Sequence, residues 1–272
     1  RKLVDITLNI LKYYIRSFGM NYNKIIKLVK ETNKFIVRSE QLNLIKKKSE
    51  ADFVTDVDIK ISNFLKEKLT SMYPQIGFFS EEEKGCLTDP SWILDPIDGT
   101  TNLVYGYNMS SVSLGLYKDG VIQFGLVYNP FNDECFTAER GKGAYLNEIE
   151  RLHVSNRRSG ESIIEFGAGS TRKHEADENF EIAKNIFKEC IDIRRICSSA
   201  LDLCFIAAGR IDGYFESKLK PWDIAAGSLI LSEAGGMITD YTGRPIQLIK
   251  ETSVIASNGI VHDFLMDKIH KC

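Results

Sequence analysis

Hydrophobic positions recur along this chain with two periods. Apolar residues at 25, 26, 28, 29, 35 and 36 approximate one face of a helix with a polar gap, which predicts a surface helix over 25–37. A charged link, "LIKKKSEA", leads to "DFVTDVD" and a second helix with Ile59, Ile61, Phe64, Leu65 and Leu69 turned inward and Asp58 near its entrance. The stretch "SSVSLGLYKDGVIQFGLVYNP" reads as two apolar runs joined at Asp119 and Gly120, a hairpin signal because both central residues tolerate positive φ. "ECFTAERGKGAYLN" continues the strand-and-turn pattern. Beyond it, helices over about 175–189, 198–208 and 223–234 alternate with short apolar strands, "DGYFE" and "GMITD". This order implies an α/β or α+β layered fold, and no internal repeat interrupts it.

At 272 residues and 43% hydrophobic content, the chain has material for one large domain or two packed α/β halves. A net charge of −2 and a pI near 6.2 carry no basic footprint for nucleic acid, so none is expected as a partner. No run of about 18 apolar residues predicts a membrane span. The six cysteines include no CxxC pair, and no leader with a cleavage site is recognised, so the expected location is cytoplasmic. Cys190, Cys197 and Cys204 recur every seven residues. That spacing puts the latter two on one helical face, where small buried hydrophobes are a better reading than metal ligands. Residues 1–19, basic and apolar, precede Met20 and are expected to form an N-terminal extension or an extra helix before a domain spanning 20–272.

Four acidic clusters carry the candidate chemistry: Asp58, Glu81 with Glu82, Asp95 with Asp98, and Asp223. No histidine or cysteine accompanies them, and hard oxygen donors alone favour Mg²⁺, Mn²⁺ or Ca²⁺ over zinc. In "WILDPIDGTTN", Trp92–Leu94 read as a buried strand delivering Asp95. Pro96 is expected to turn the chain so that Asp98 comes back beside Asp95, with the Ile97 carbonyl as a further hard ligand. Gly99 permits close backbone approach, and a helix starting there would aim the amides of Gly99 and Thr100 at an anion. A plainer account of the same letters is a helix cap at Asp95, proline in the first position and a capping box closed by Asp98. Asp223 likewise reads as an N-cap, with Gly235 and Gly236 ending its helix.

The motifs "WILDPIDGTTN" and "WDIAAGSLILSEAGG" resemble the two signatures of the inositol monophosphatase family, in order and separation, and the resemblance extends from about residue 23 to the C-terminus. It implies a layered α-β-α-β-α sandwich of the sugar phosphatase type. It also implies a lithium-sensitive phosphatase using two or three Mg²⁺ ions, and a homodimer. The implied metal shell is Glu81, Asp95, the carbonyl of Ile97, Asp98 and Asp223, although Ser80 stands where the family has a glycine. Thr100 and Glu81 would orient the attacking water, and Asp58 would support Thr100. Gly99, Thr100 and Lys47 would face the phosphate side, and Asp223 would bind on the substrate side, holding the water that protonates the leaving alkoxide. Glu216 corresponds to a glutamate that binds a sugar or inositol hydroxyl. Ser198 and Ser199 correspond to pocket positions, with Cys197 replacing a common glycine; Ser198 also reads as a helix cap. Gly167–Ser170 is expected to form another pocket loop.

The implied reaction is direct attack of water on a phosphate monoester, most readily myo-inositol 1-phosphate or a related phosphorylated polyol or sugar. Two alternatives stay open. One is a fructose-1,6-bisphosphatase with the same metal shell, and the other a regulatory binding module using the same fold.

Overall fold

The computed structural model describes residues 20–36, 45–49, 52–83, 85–169 and 172–271, with the backbone alone at 45–49 and 52–55. The predicted extension, residues 1–19, lies outside them. The first predicted helix is two: α1 (Tyr22–Lys30) and α2 (Asn33–Ile36), divided at Glu31 and Thr32 where the apolar pattern has its gap. A two-stranded ladder, β1 (Ile45–Ser49) and β2 (Asp52–Thr55), leads into α3 (Asp56–Met72). The inner face of α3 is Val57, Asp58, Ile61, Ser62, Leu65 and Leu69, with Phe64 half-buried. Ile59, expected inside, is 40% exposed. It stands about 200° around the helix from Ile61 and therefore faces away from the core.

Next come β3 (Gly77–Ser80), β4 (Ser91–Asp98), α4 (Thr100–Val104), β5 (Ser111–Lys118), β6 (Val121–Asn129), β7 (Glu134–Glu139), β8 (Gly143–Leu146) and β9 (Glu150–Arg151). These strands form one sheet in sequence order, antiparallel throughout except for the parallel pair β3 and β4. The hairpin at Asp119 (φ 55°) and Gly120 (φ 78°) is as predicted, and the Asp89 carboxylate accepts both turn amides at 2.9 Å.

The rest of the chain supplies β10 (Ile163–Phe166), α5 (Ala176–Phe187), β11 (Asp192–Arg194), α6 (Ser199–Ala207), β12 (Gly213–Leu219), α7 (Pro221–Glu233), β13 (Met237–Thr239), β14 (Thr252–Ser257) and α8 (His262–His270). Its sheet runs β11-β10-β12-β14-β13, with β11, β10 and β12 mutually parallel.

Three apolar clusters stack these parts. Helices α1 and α3 cover one face of the seven-stranded sheet through Ile25, Ile61, Leu65, Trp92 and Leu94. The opposite face, with Ile93 and Val127, packs on α6 and α7, whose Leu203, Ile224 and Ile230 also reach Tyr214 and Val254 of the five-stranded sheet. The far face of that second sheet, with Ile164 and Phe215, is closed by Ile182 of α5 and Leu265 of α8. The layers therefore read α-β-α-β-α, the expected sandwich. The middle helices are apolar nearly all round because both of their sides are covered by sheet.

One irregularity governs the site. Pro96 does not turn the chain: β4 continues through it to Asp98 with a bulge, since Asp95 pairs with Ser113 and Asp98 with Ser111, three residues against two. Proline is tolerated because the pairing of β3 ends at Ser80 opposite Leu94, so no ladder bond is lost on that side. The extra residue also changes the phase of the strand. Ile97 joins Trp92 and Leu94 on the α1/α3 side, whereas unbroken alternation would send it with Ile93 to the other face. Asp98 consequently emerges on the same face as Asp95.

Candidate active site

The acidic side chains come from four places in the fold, with Asp95 and Asp98 both on β4. Glu81 follows β3 directly, and its amide donates to the Leu94 carbonyl at 3.3 Å, which sets it beside β4. Asp95 (2% exposed) accepts the Ile97 amide on Oδ1 at 3.0 Å. It is a strand residue, so the helix-cap account of "DPID" is excluded. Asp98 meets the start of α6: its Oδ2 accepts the Ser198 hydroxyl at 2.5 Å and the Ala200 amide at 2.8 Å. Ser198 occupies the N-cap position, but its side chain serves Asp98 instead of capping the helix.

Asp223 is not an N-cap. Lys220 holds that position with Pro221 first in the helix, and Asp223 accepts the Lys220 amide at 2.7 Å. The Trp222 ring packs 5.4 Å from Phe79, so the first turn of α7 sits beside the end of β3 and Asp223 shares a cleft with Glu81. The Thr100 hydroxyl lies 3.0 Å from the Ile97 carbonyl and 3.3 Å from Asp58 Oδ1, with one proton for two acceptors.

The cleft has a volume of about 740 Å³. Glu81, Asp98, Gly99, Thr100, Ser199, Glu216 and Asp223 line it, as do Gly167, Ala168 and Gly169; Ser170 is outside the described residues. Asp58, Asp95 and Ile97 are buried and do not line it, but the Thr100 hydroxyl in its wall reaches Asp58 and the Ile97 carbonyl. The side chain of Lys47, on β1, is outside the described residues.

Electrostatics mark the acidic group as one unit. Burial first, then the charges of Glu81, Asp98, Asp223 and Asp58, holds the Asp95 carboxyl well above the usual range. Burial raises Asp98 to about 6 while its bonds to Ser198 and Ala200 pull the other way. Burial and Asp98 likewise raise Asp223. Carboxylates crowded in this way, with the Ile97 carbonyl among them and no nitrogen or sulfur donor, fit a hard divalent cation. Among the described residues, no three histidine, cysteine, aspartate or glutamate side chains already form a finished ligand cluster. The fit thus rests on donor chemistry. The cysteine pattern comes apart: Cys197 (φ 59°) precedes α6 and is exposed, whereas Cys204 is buried inside it.

Several contributors went unread in the sequence. Asn102, although inside the quoted motif, donates to the Met109 and Ile196 carbonyls at 2.6 Å each, tying α4 to the segment before β5 and to the entry of α6. Tyr214 donates to Glu216 Oε2 at 2.5 Å, and Arg172 Nη2 donates to Oε1 at 2.9 Å. Burial raises the Glu216 carboxyl, and these two partners oppose the rise. No motif surrounds Arg172 that would have pointed to it.

A model of the inositol monophosphatase family matches residues 17–272. The chain belongs to this family. It is 40% identical over 229 residues to a Nus factor SuhB of Pasteurella multocida, covering 83% of this chain and 85% of that protein. To an inositol-1-monophosphatase of Mesorhizobium japonicum it is 37% identical over 229 residues, covering 82% and 85%. The solved Thermotoga maritima IMPase matches with a TM-score of 0.84 at 32% identity, covering 92% of this chain and 96% of that one. Inositol monophosphatase family membership makes the chain a phosphatase of this superfamily, one whose members generally use Mg²⁺ and act on phosphorylated sugars or polyols. No helix among the described residues is long and apolar enough to cross a membrane.

Proposed function

We propose that the protein hydrolyses myo-inositol 1-phosphate, or a closely related phosphorylated polyol, to the free alcohol and phosphate. The observation that carries this reading is the bulge in β4, which turns Asp95 and Asp98 to one face, Asp98 lining the cleft with Glu81, Asp223 and Glu216 and Asp95 buried within reach of the Glu81, Asp98 and Asp223 charges. Glu81, Asp95, Asp98, Asp223 and the Ile97 carbonyl would hold two or three Mg²⁺ ions. When bound, Mg²⁺ lowers the pKa of the attacking water and neutralises charge on the phosphate oxygens.

The chain's own groups do the rest. Gly99 and Thr100 offer backbone amides to the phosphate, together with Lys47. Thr100 positions the attacking water through its hydroxyl, which Asp58 steadies, and Glu81 takes the water's proton. Asp223, across the cleft, holds the water that protonates the departing alkoxide. Glu216 accepts a hydroxyl of the polyol.

The test is phosphate release from inositol 1-phosphate with Mg²⁺, with a chelator and with added Li⁺, run beside fructose 1,6-bisphosphate. Mg²⁺-dependent, Li⁺-inhibited release that favours the inositol ester is expected. Preference for the bisphosphate would move the substrate, and release from neither would overturn the reading. The likeness to a protein named a Nus factor favours a binding role as the second reading. Under that reading, variants without hydrolytic activity keep full function.

A second expectation concerns Ser198, whose hydroxyl orients Asp98. Partners that orient a ligand typically change metal affinity by about 10–100-fold when removed. Ser198→Ala should therefore raise the Mg²⁺ concentration for half-maximal activity by about tenfold with turnover at saturation largely retained. An unchanged Mg²⁺ titration would separate Ser198 from the metal site.

A further inference from the structure

Glu216 and Arg172 form an ion pair in the wall of the cleft, with side chains 10% and 19% exposed. The loop after β10 is cut to fit them. A Cβ on Gly167 would stand 1.9 Å from Glu216 Oε2, and one on Gly169 would stand 2.5 Å from Arg172 Cζ, so a side chain at either position would displace the member of the pair it meets. From below, Tyr214 donates to Glu216, with the Ser199 hydroxyl 3.3 Å from the phenol oxygen. From the side, Arg172 Nε lies 3.3 Å from Glu175 Oε2, and Glu175 in turn accepts Ser217 at 2.8 Å and Lys218 at 2.5 Å. Both members of the pair are therefore held in place before any ligand arrives.

The chemistry of the pair selects its ligand. An ionised carboxylate only accepts hydrogen bonds, whereas a guanidinium only donates, through five N–H groups, more than its contacts with Glu216 and Glu175 use. Side by side they suit two neighbouring oxygens, one donating its hydroxyl proton to Glu216 and the next accepting from Arg172. An isolated hydroxyl satisfies half of the arrangement, and a bare hydrocarbon ring satisfies none.

We propose that Arg172 is a specificity-determining residue that, together with Glu216, reads two adjacent hydroxyls of the phosphorylated polyol. This rests on the phosphatase reading above and adds to it the part of the substrate that must be present. A site built to hydrogen-bond a hydroxyl discriminates strongly against the analogue without it, because the polar groups are then left unpaired.

The experiment compares inositol 1-phosphate with cyclohexyl phosphate, which lacks every ring hydroxyl, in the wild type, R172M and R172K at saturating Mg²⁺. R172M is expected to raise KM for inositol 1-phosphate by roughly tenfold or more, the scale of a lost charge-assisted hydrogen bond, with kcat little changed. Its KM and kcat for cyclohexyl phosphate should stay within about twofold of the wild type, which also reports an intact fold. R172K, keeping the charge but losing the planar fork, should fall between. Equal effects on both esters, or an unchanged KM for inositol 1-phosphate, would overturn the role of Arg172. A wild type that hydrolyses both esters without preference would overturn the diol reading alone, whereas one that hydrolyses neither would overturn the phosphatase reading itself.

Discussion

Asp95→Asn is expected to lower turnover by about 10³-fold or more while leaving the folded protein intact. The reasoning begins with position. Asp95 is 2% exposed on β4, and Glu81, Asp98, Asp223 and Asp58 all push its carboxyl upward. In water such a group would be solvated. Here its charge meets other charges of the same sign, so the arrangement costs stability until a cation joins it. Asparagine keeps the shape and can still accept the Ile97 amide that Asp95 accepts at 3.0 Å, but it takes one ligand charge from the set. Two readouts should move in opposite directions. Activity falls, since charge stabilisation at the reacting phosphate is the largest contribution such a site makes. With a chelator present, the variant should melt no lower than the wild type. Mg²⁺, which raises the melting temperature of a protein that binds it, should raise that of the wild type far more than that of the variant. Asp223→Asn should behave likewise. Near-wild-type turnover in both variants would remove these residues from the metal site.

The largest expected stability effect lies away from the cleft. Asp212, fully buried where the chain enters β12, accepts Arg157 Nε on Oδ1 at 2.9 Å and on Oδ2 at 3.1 Å, the Ile163 amide at 2.8 Å and the Ser155 hydroxyl. Arg157 also donates to the Gly209 carbonyl at 2.7 Å, and Asn258 donates to Ser155 and to the Arg157 carbonyl at 3.0 Å each. One carboxylate thus gathers the link after β9, the start of β10 and the turn after β14. Asp212→Ala would leave the Ile163 amide and Arg157 Nε without their acceptor, and breaking a buried charged network of this kind costs about 3–5 kcal/mol. Since Arg157 is 39% exposed and can recover water on one side, a loss near 3 kcal/mol is expected from urea unfolding. A change below about 1 kcal/mol would show that the network is dispensable. Mg²⁺ affinity, measured on the folded fraction, should not follow the loss of stability.

Much of this architecture was readable from local patterns. The hairpin at Asp119–Gly120 follows from two residues that tolerate positive φ between apolar runs, and the helices 176–187 and 199–207 lie within one or two residues of their predicted bounds. The misreadings are equally local in origin. Apolar character alone predicts an inward Ile59, but helical geometry carries it away from Ile61. Proline is normally excluded from a strand interior, which predicts a turn at Pro96; what permits the strand is the end of β3 at Ser80, a feature outside residues 92–98. The plainer N-cap account of Asp223 fails because the helix opens two residues earlier, at Pro221.

By itself the sequence determined the order of helices and strands, the hard-donor character of the acids and the family, because these depend on residue type and short spacing. Only the tertiary structure decided which side chains meet. The phase of the β4 bulge, on which the common face of Asp95 and Asp98 depends, is set by pairing with β5. Ser198 reaches Asp98 across 100 positions, and Arg172 reaches Glu216 across 44. Contacts of that range come from the stacking of two sheets about shared helices, where burial and packing choose the partners and local propensity has no influence.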